Sequence, residues 1–344
     1  MNRRTFLALT AGTAANAGWR QGESLFDGLA IIKPKRLAVG DKVALISPAS
    51  ATAHRVDIEI VKESLEALGL VVKLSDHLMD RYGYLAGSDA DRAADVNNQF
   101  ADSEVSGVIA VRGGWGCARI LPLLDFDMIR ENPKVLMGFS DITALLLPVY
   151  SKTGIVTFHG PRGMGPWHPF TVDYVRRVLM DGEAAVMSNP KEIGDNLAQV
   201  ANRIQTIYPG KARGRLVGGN LTVLSALLGS DYVPGCDGAI LFLEDVGEDI
   251  YRIDRMLTQL KLAGLLDRIA GFVFGKCTNC NPGSGFGSLT LEQLFDDHIR
   301  PLGIPSWHGA MIGHIPRQFV LPEGIPAEIN ADEGTIRLLE PAVV

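Results

Sequence analysis

One stretch constrains the chain most: Gly107-Val108-Ile109-Ala110-Val111-Arg112-Gly113-Gly114-Trp115-Gly116-Cys117-Ala118-Arg119-Ile120-Leu121. An apolar run, a glycine cluster and an apolar-periodic segment follow one another, the pattern of a buried strand, a tight turn and a helix. Glycines adopt backbone angles closed to other residues and let a ligand approach the main chain. The first reactive side chain beyond them, Cys117, would stand at a sheet edge near the positive end of the next helix. A thiol so placed ionises more readily than a free one. The stretch therefore reads either as a nucleophile elbow or as a glycine-rich turn with an inert, buried cysteine.

The flanking sequence supplies a sheet for that turn. Lys42 to Pro48 reads as a strand ending in a loop. Val56 to Leu68 places Ile60, Val61, Leu65 and Leu68 at helical spacing, with Gly69 to stop the helix. Leu70 to Leu74 is a second strand, and Ser88 can cap a helix through Arg92, Val96 and Phe100. Beyond the glycine turn, Lys134 to Phe139 reads as a strand, Asp141 to Tyr150 as a helix and Ile155 to Phe158 as a strand. Such alternation predicts an α/β fold with a parallel sheet covered on both faces. Ligands bind these sheets at the carboxyl ends of the strands.

The pattern weakens over 166–205, which reads as a connector after an α/β domain spanning 37–165. A smaller domain over 206–344 resumes with the glycine turn Gly218-Gly219-Asn220-Leu221 and a buried strand from Ala239 ending in Glu244-Asp245. It continues with an amphipathic helix from Asp249 to Leu262, a strand over Gly271 to Gly275, a helix from Leu289 to Ile299 and short strand-like pieces such as Thr335 to Leu339. A length of 344 residues agrees with two domains. The formal net charge of −6 argues against a nucleic-acid binder, which needs a basic stripe.

The first 25 residues differ from the rest. Arg3-Arg4 precedes a short apolar run, and Ala15-Asn16-Ala17 offers a small-residue cleavage site. This reads as a twin-arginine-type export signal that delivers the chain to the periplasm, with no stable membrane insertion after its removal. Fusing this segment to a reporter should export it, and replacing Arg3 and Arg4 by lysine should stop that export. Export that survives the change sinks the reading. Four cysteines remain, too few for a disulfide framework, and Cys277-Thr278-Asn279-Cys280 reads as two ordinary thiols or a redox pair.

A cysteine nucleophile needs a base, usually histidine, and an acid to orient it. His314 lies between glycine and proline in a loop, His159 ends a strand, and His308 follows Trp307 in a loop. Spacing alone does not choose among them. Glu244 ends a buried strand, where a carboxylate is costly unless paired. The glycine turn is neither GxGxxG nor a Walker loop, which argues against nucleotide binding.

Several motifs in order carry a resemblance over about Leu37 to the C-terminus: Ala86-Gly87-Ser88 with Arg92, Arg112-Gly113-Gly114-Trp115-Gly116, Gly138-Phe139-Ser140-Asp141, Phe158-His159-Gly160-Pro161, Gly218-Gly219-Asn220-Leu221, Leu243-Glu244-Asp245 and Gly313-His314. The set resembles the L,D-carboxypeptidases of peptidase family S66, with their muramoyltetrapeptide carboxypeptidases and microcin-immunity hydrolases. The resemblance implies an α/β domain with a nucleophile elbow and a smaller domain supplying Glu and His. It implies hydrolysis of the bond to a terminal D-alanine in peptidoglycan stem peptides, without metal or cofactor. The family nucleophile, serine, is expected at Cys117 as a cysteine variant, with Glu244 and His314 completing the triad and Ala118 N–H in the oxyanion hole. Expected partners are a peptidoglycan-derived peptide, no nucleic acid, and at most a second copy of the chain in a homodimer. Two rival readings stand beside it: a glutaminase-like cysteine hydrolase and a non-catalytic muropeptide-binding protein.

Overall fold

A computed structural model describes residues 30–165, 167–283 and 287–344. The segment read as an export signal, residues 1 to 25, lies outside the described residues. Apolar runs become central strands because both of their faces are covered. Val43-Ala44-Leu45-Ile46 is wholly buried in β1 (Lys42–Ile46), and so is Val108-Ile109-Ala110 in β3 (Val105–Ala110). With β2 (Val71–Leu74), β4 (Val135–Gly138) and β5 (Phe158–His159) they form a parallel sheet in the order 2-1-3-4-5. The order reverses between β1 and β3, and in doubly wound sheets the ligand crevice opens at that point.

The helices follow the expected spacing with one shift. Over Arg55–Glu66 the buried stripe is Ile58, Val61 and Leu65, while Ile60 is 47% exposed. Ile58 is three residues before Val61, so it shares that face, whereas Ile60 is turned away. Ser88 caps the helix Asp89–Ala101, its hydroxyl accepting from Asp91 N–H at 3.1 Å.

The stretch read as a connector is not bare. It carries the helix Pro169–Val175, β6 (Val186–Ser188) and the start of β7 (Gln205–Tyr208). The two strands belong to a second sheet with β8 (Lys211–Asn220), β9 (Ile240–Val246), β10 (Gly271–Thr278) and β11 (Ser306–His308). After β12 (Leu321–Pro322), the strands β13 (Pro326–Asn330) and β14 (Thr335–Leu338) complete it in the order 6-14-13-8-9-10-11-7. Its centre, β8-β9-β10-β11, is parallel. β12 leaves this half and pairs antiparallel with β5 of the first sheet. One apolar core therefore runs through both halves, joining Val43, Met137 and Phe158 to Phe242, Val273 and Trp307. Cys277 and Cys280 are joined by a disulfide at the end of β10, where two separate thiols were the stronger expectation.

Candidate active site

The corner after β4 is the strained point of the first sheet. Phe139 continues the extended chain, and at Ser140 the backbone enters the left-handed region with φ +67°. That conformation costs a non-glycine residue about 1–3 kcal/mol and tends to persist at functional sites. A tight turn over Ser140–Ile142 leads directly into the helix Thr143–Thr153. Gly138 makes the corner possible, because a Cβ there would lie 2.8 Å from Ile142 Cγ2. Strand, strained serine and helix are the parts of a nucleophile elbow.

Ser140 Oγ lies 3.0 Å from His314 Nε2, and His314 Nδ1 lies 2.8 Å from Glu244 Oε2. Both bonds are satisfied when Nδ1–H donates to Glu244 and Nε2 accepts from the serine hydroxyl. Glu244 is fully buried on β9, and its second oxygen accepts from Asn220 Nδ2 at 3.0 Å. Asn220 ends β8 and has two further tasks. Its Oδ1 caps the helix Leu221–Leu227 by accepting from Val223 N–H at 3.1 Å, and its own N–H donates to Thr143 Oγ1 at 3.0 Å. Thr143 begins the elbow helix. One side chain thus orients the carboxylate while its backbone ties the second sheet to the elbow.

Cys117 does not take the place expected of it. It begins the short helix Cys117–Ile120, its thiol is wholly buried, and its backbone N–H donates to Asp141 Oδ2 at 2.9 Å. Burial, with the Asp141 carboxyl beside it, pushes the thiol well above its usual range. That is the reverse of the activated thiolate the helix start suggested, because the desolvated interior outweighs so short a helix. The hydroxyl facing His314 is that of Ser140. Ala118 loses its expected role for the same reason, since the N–H that follows the elbow side chain belongs to Asp141. The glutaminase-like reading required a cysteine at the histidine and loses its support.

The glycine turn still belongs to the site. A Cβ on Gly113 would stand 2.9 Å from Ser140 Cβ, 3.0 Å from Asp141 N and 3.1 Å from Ser140 Oγ. The space in front of Ser140 and the Asp141 N–H stays open because residue 113 has no side chain. Asp141 lies in the first turn of its helix, so that N–H has no acceptor within the helix. The Asp141 carboxyl holds the loop in place through the N–H groups of Gly116 and Cys117. Sequence reading placed a strand up to Phe139 and a helix from Asp141, which leaves Ser140 as the residue at the corner. The Gly-x-Ser spacing of Gly138 and Ser140 was the signal that would have found it.

Neither rival histidine is hydrogen-bonded to Ser140. His308 stacks on Phe295 at 5.0 Å, against the helix Leu291–His298. His159 is buried with neither ring nitrogen hydrogen-bonded among the described residues, edge-on to Phe242 at 5.5 Å and Phe139 at 6.0 Å. Burial pushes its pKa down to about 4, against Glu244, which favours the charged form. The value lies below that of an unfolded histidine, so His159 contributes stability above about pH 6.5 that is lost as pH falls toward 4, roughly 3 kcal/mol in all. Denaturant unfolding at pH 7 and pH 4 should show that His159→Phe removes about this much acid sensitivity. An equal loss in both proteins would refute the assignment.

A cleft of about 250 Å³ opens beside His314, lined among others by Phe139, Arg162, Trp167 and Gln318. Among the described residues, His77, Asp80 and Asp91 bring ligand atoms within 4.8 Å of one another. His77 is already bonded through Nδ1 to Asp80 at 2.8 Å, with Nε2 4.0 Å from Asp91. Its two nitrogens serve different carboxylates, so this is a surface ion-pair cluster.

Comparison with known proteins shows the family and the fold. The family model described as LD-carboxypeptidase N-terminal domain matches residues 43–160, and that of the LD-carboxypeptidase C-terminal domain matches residues 213–329. The chain is 39% identical over 309 residues to the probable murein peptide carboxypeptidase of Bacillus subtilis (strain 168), covering 88% of this chain and 93% of that one. It is 31% identical over 314 residues to the murein tetrapeptide carboxypeptidase of Pseudomonas aeruginosa, covering 86% and 94%. Its fold is similar to the microcin C7 self-immunity protein MccF, with a TM-score of 0.82 and 26% identity over 91% of this chain and all of that one. A muramoyltetrapeptide carboxypeptidase from Oxalobacter formigenes gives a TM-score of 0.73 at 25% identity, covering 86% and 97%.

Proposed function

Because the chain belongs to the LD-carboxypeptidase family of S66 hydrolases, we propose that it removes the terminal D-alanine from peptidoglycan stem tetrapeptides through a Ser140-His314-Glu244 triad. The observation that carries this reading is the hydrogen-bonded chain from a strained serine through a histidine to a buried carboxylate. Ser140 Oγ attacks the carbonyl that precedes D-alanine, and His314 Nε2 takes the hydroxyl proton. Glu244 stabilises the imidazolium and fixes its orientation. The developing oxyanion lies in the open space beside Gly113, within reach of the Asp141 N–H. His314 then protonates the leaving amine, and water, deprotonated by the same histidine, releases the tripeptide from the acyl-serine.

Mass spectrometry of a muramyl tetrapeptide incubated with the pure protein tests the reading. Free D-alanine and the tripeptide product are expected. Unchanged peptide would favour a binding protein that retains the cleft. Aspartyl sulfamoyl adenosine, the ligand of one MccF structure, serves as the comparison substrate. Cleavage of that compound alone would move the specificity away from stem peptides.

A further inference from the structure

Arg162, in the cleft, and Arg112, close enough to act on it, have no carboxylate partner among the described residues. Arg162 lines the cleft with Phe139 and His314. Its guanidinium carbon is 5.5 Å from the centre of the Phe139 ring, and that ring is 4.8 Å from the His314 ring. Cation and imidazole therefore both lie against the Phe139 ring. Arg162 Nε donates to Met164 O at 3.0 Å, which leaves the two terminal nitrogens of its fork without a partner among the described residues. Arg112 spends one terminal nitrogen on Ala51 O at 3.0 Å. Burial, and then the Arg112 charge, push the pKa of Arg162 below its usual range, so the two cations feel each other. Neither makes an ion pair among the described residues, and no acidic side chain lines the cleft.

Partly buried like charges are unfavourable unless an anion joins them. The wall of the cleft thus offers a guanidinium fork, which suits a group carrying a carboxylate. In a peptide, the carboxyl carbon of the last residue lies only about 4 Å beyond the scissile carbonyl carbon. Arg162 lines the same cleft as His314, and the leaving residue must lie in that cleft when the scissile carbonyl faces Ser140.

We propose that Arg162, supported by Arg112, receives the C-terminal carboxylate of the leaving residue and thereby restricts cleavage to a single terminal residue. The two terminal nitrogens of the fork donate to both carboxylate oxygens. This rests on the amide-hydrolase reading of Ser140, and the test separates the two. Hydrolysis of a stem tetrapeptide with a free C-terminus is compared with that of its C-terminal amide, for the unaltered protein, Arg162→Met and Arg162→Lys. The unaltered protein should favour the free acid about 100-fold in kcat/KM, because the amide leaves a desolvated guanidinium unpaired. Arg162→Met should lose most of that preference, chiefly through KM on the acid, with the amide rate within about threefold of the unaltered protein. Arg162→Lys should recover part of the preference, since a point charge keeps the attraction but not the paired bonds. Calorimetric binding of both peptides to Ser140→Ala, with and without Arg162→Met, reads the same preference without turnover. If the unaltered protein hydrolyses neither peptide, the functional reading fails, while acid-selective binding to Ser140→Ala would still uphold the receptor. Equal binding of acid and amide by Ser140→Ala, or a preference undiminished in Arg162→Met, overturns the proposal.

Discussion

Replacing Ser140 with alanine should lower kcat for D-alanine release by roughly 10⁴- to 10⁶-fold, the range seen when a triad nucleophile is lost. Cys117→Ala and Cys117→Ser should keep kcat within about tenfold, because the thiol is buried and acts on the site only through packing. Native protein should resist iodoacetamide at Cys117, since both burial and the raised pKa suppress the thiolate. A fluorophosphonate probe should label Ser140 and lose that target in Ser140→Ala. The two cysteine variants can lose some stability, so thermal unfolding is measured alongside. Full turnover by Ser140→Ala, or abolished turnover by a folded Cys117→Ala, would return the nucleophile to the cysteine.

The second large effect concerns Gly113. Its backbone is not left-handed, so an alanine there is strained only by what its methyl meets. That methyl would sit 3.0 Å from Asp141 N and 3.1 Å from Ser140 Oγ, in the space assigned to the oxyanion. Gly113→Ala should therefore reduce kcat by about 10²- to 10³-fold, the size of effect found on removing one oxyanion donor. Gly114 provides the contrast. It has φ +116°, and a Cβ there would lie 2.2 Å from Ser50 Oγ, so Gly114→Ala should disturb the loop and lower the melting temperature as well. A stable Gly113→Ala protein with undiminished kcat would place the oxyanion elsewhere.

Much of this protein is local, and local structure is legible in a sequence. Short apolar runs marked β1, β3 and β4, and Ser88 marked a helix start that the structure caps through Asp91. The ordered motifs marked the family, and with it Glu244 and His314 as the carboxylate and imidazole that stand 2.8 Å apart. The edge strand β6 was harder to see. It is three residues long with only its middle residue buried, so it presents no alternation to read.

The nucleophile was decided by tertiary structure. Strand-to-helix corners place a nucleophilic side chain at Cys117 and another at Ser140, and a local pattern has no means of ranking them. The ranking comes from His314, which lies 174 residues beyond Ser140 in sequence and reaches it only because β8, β9 and the loop after β11 are packed against the end of β4. Cys117 falls beneath the Asp141 carboxyl, where desolvation keeps its thiol protonated. By itself the sequence determined the alternation of strands and helices, the turns and the set of reactive groups, because these depend on residues a few positions apart. Which hydroxyl meets the histidine, which glycine keeps the space before Ser140 open and which arginine lines the cleft depend on distances between sheets, and only the folded chain decided those.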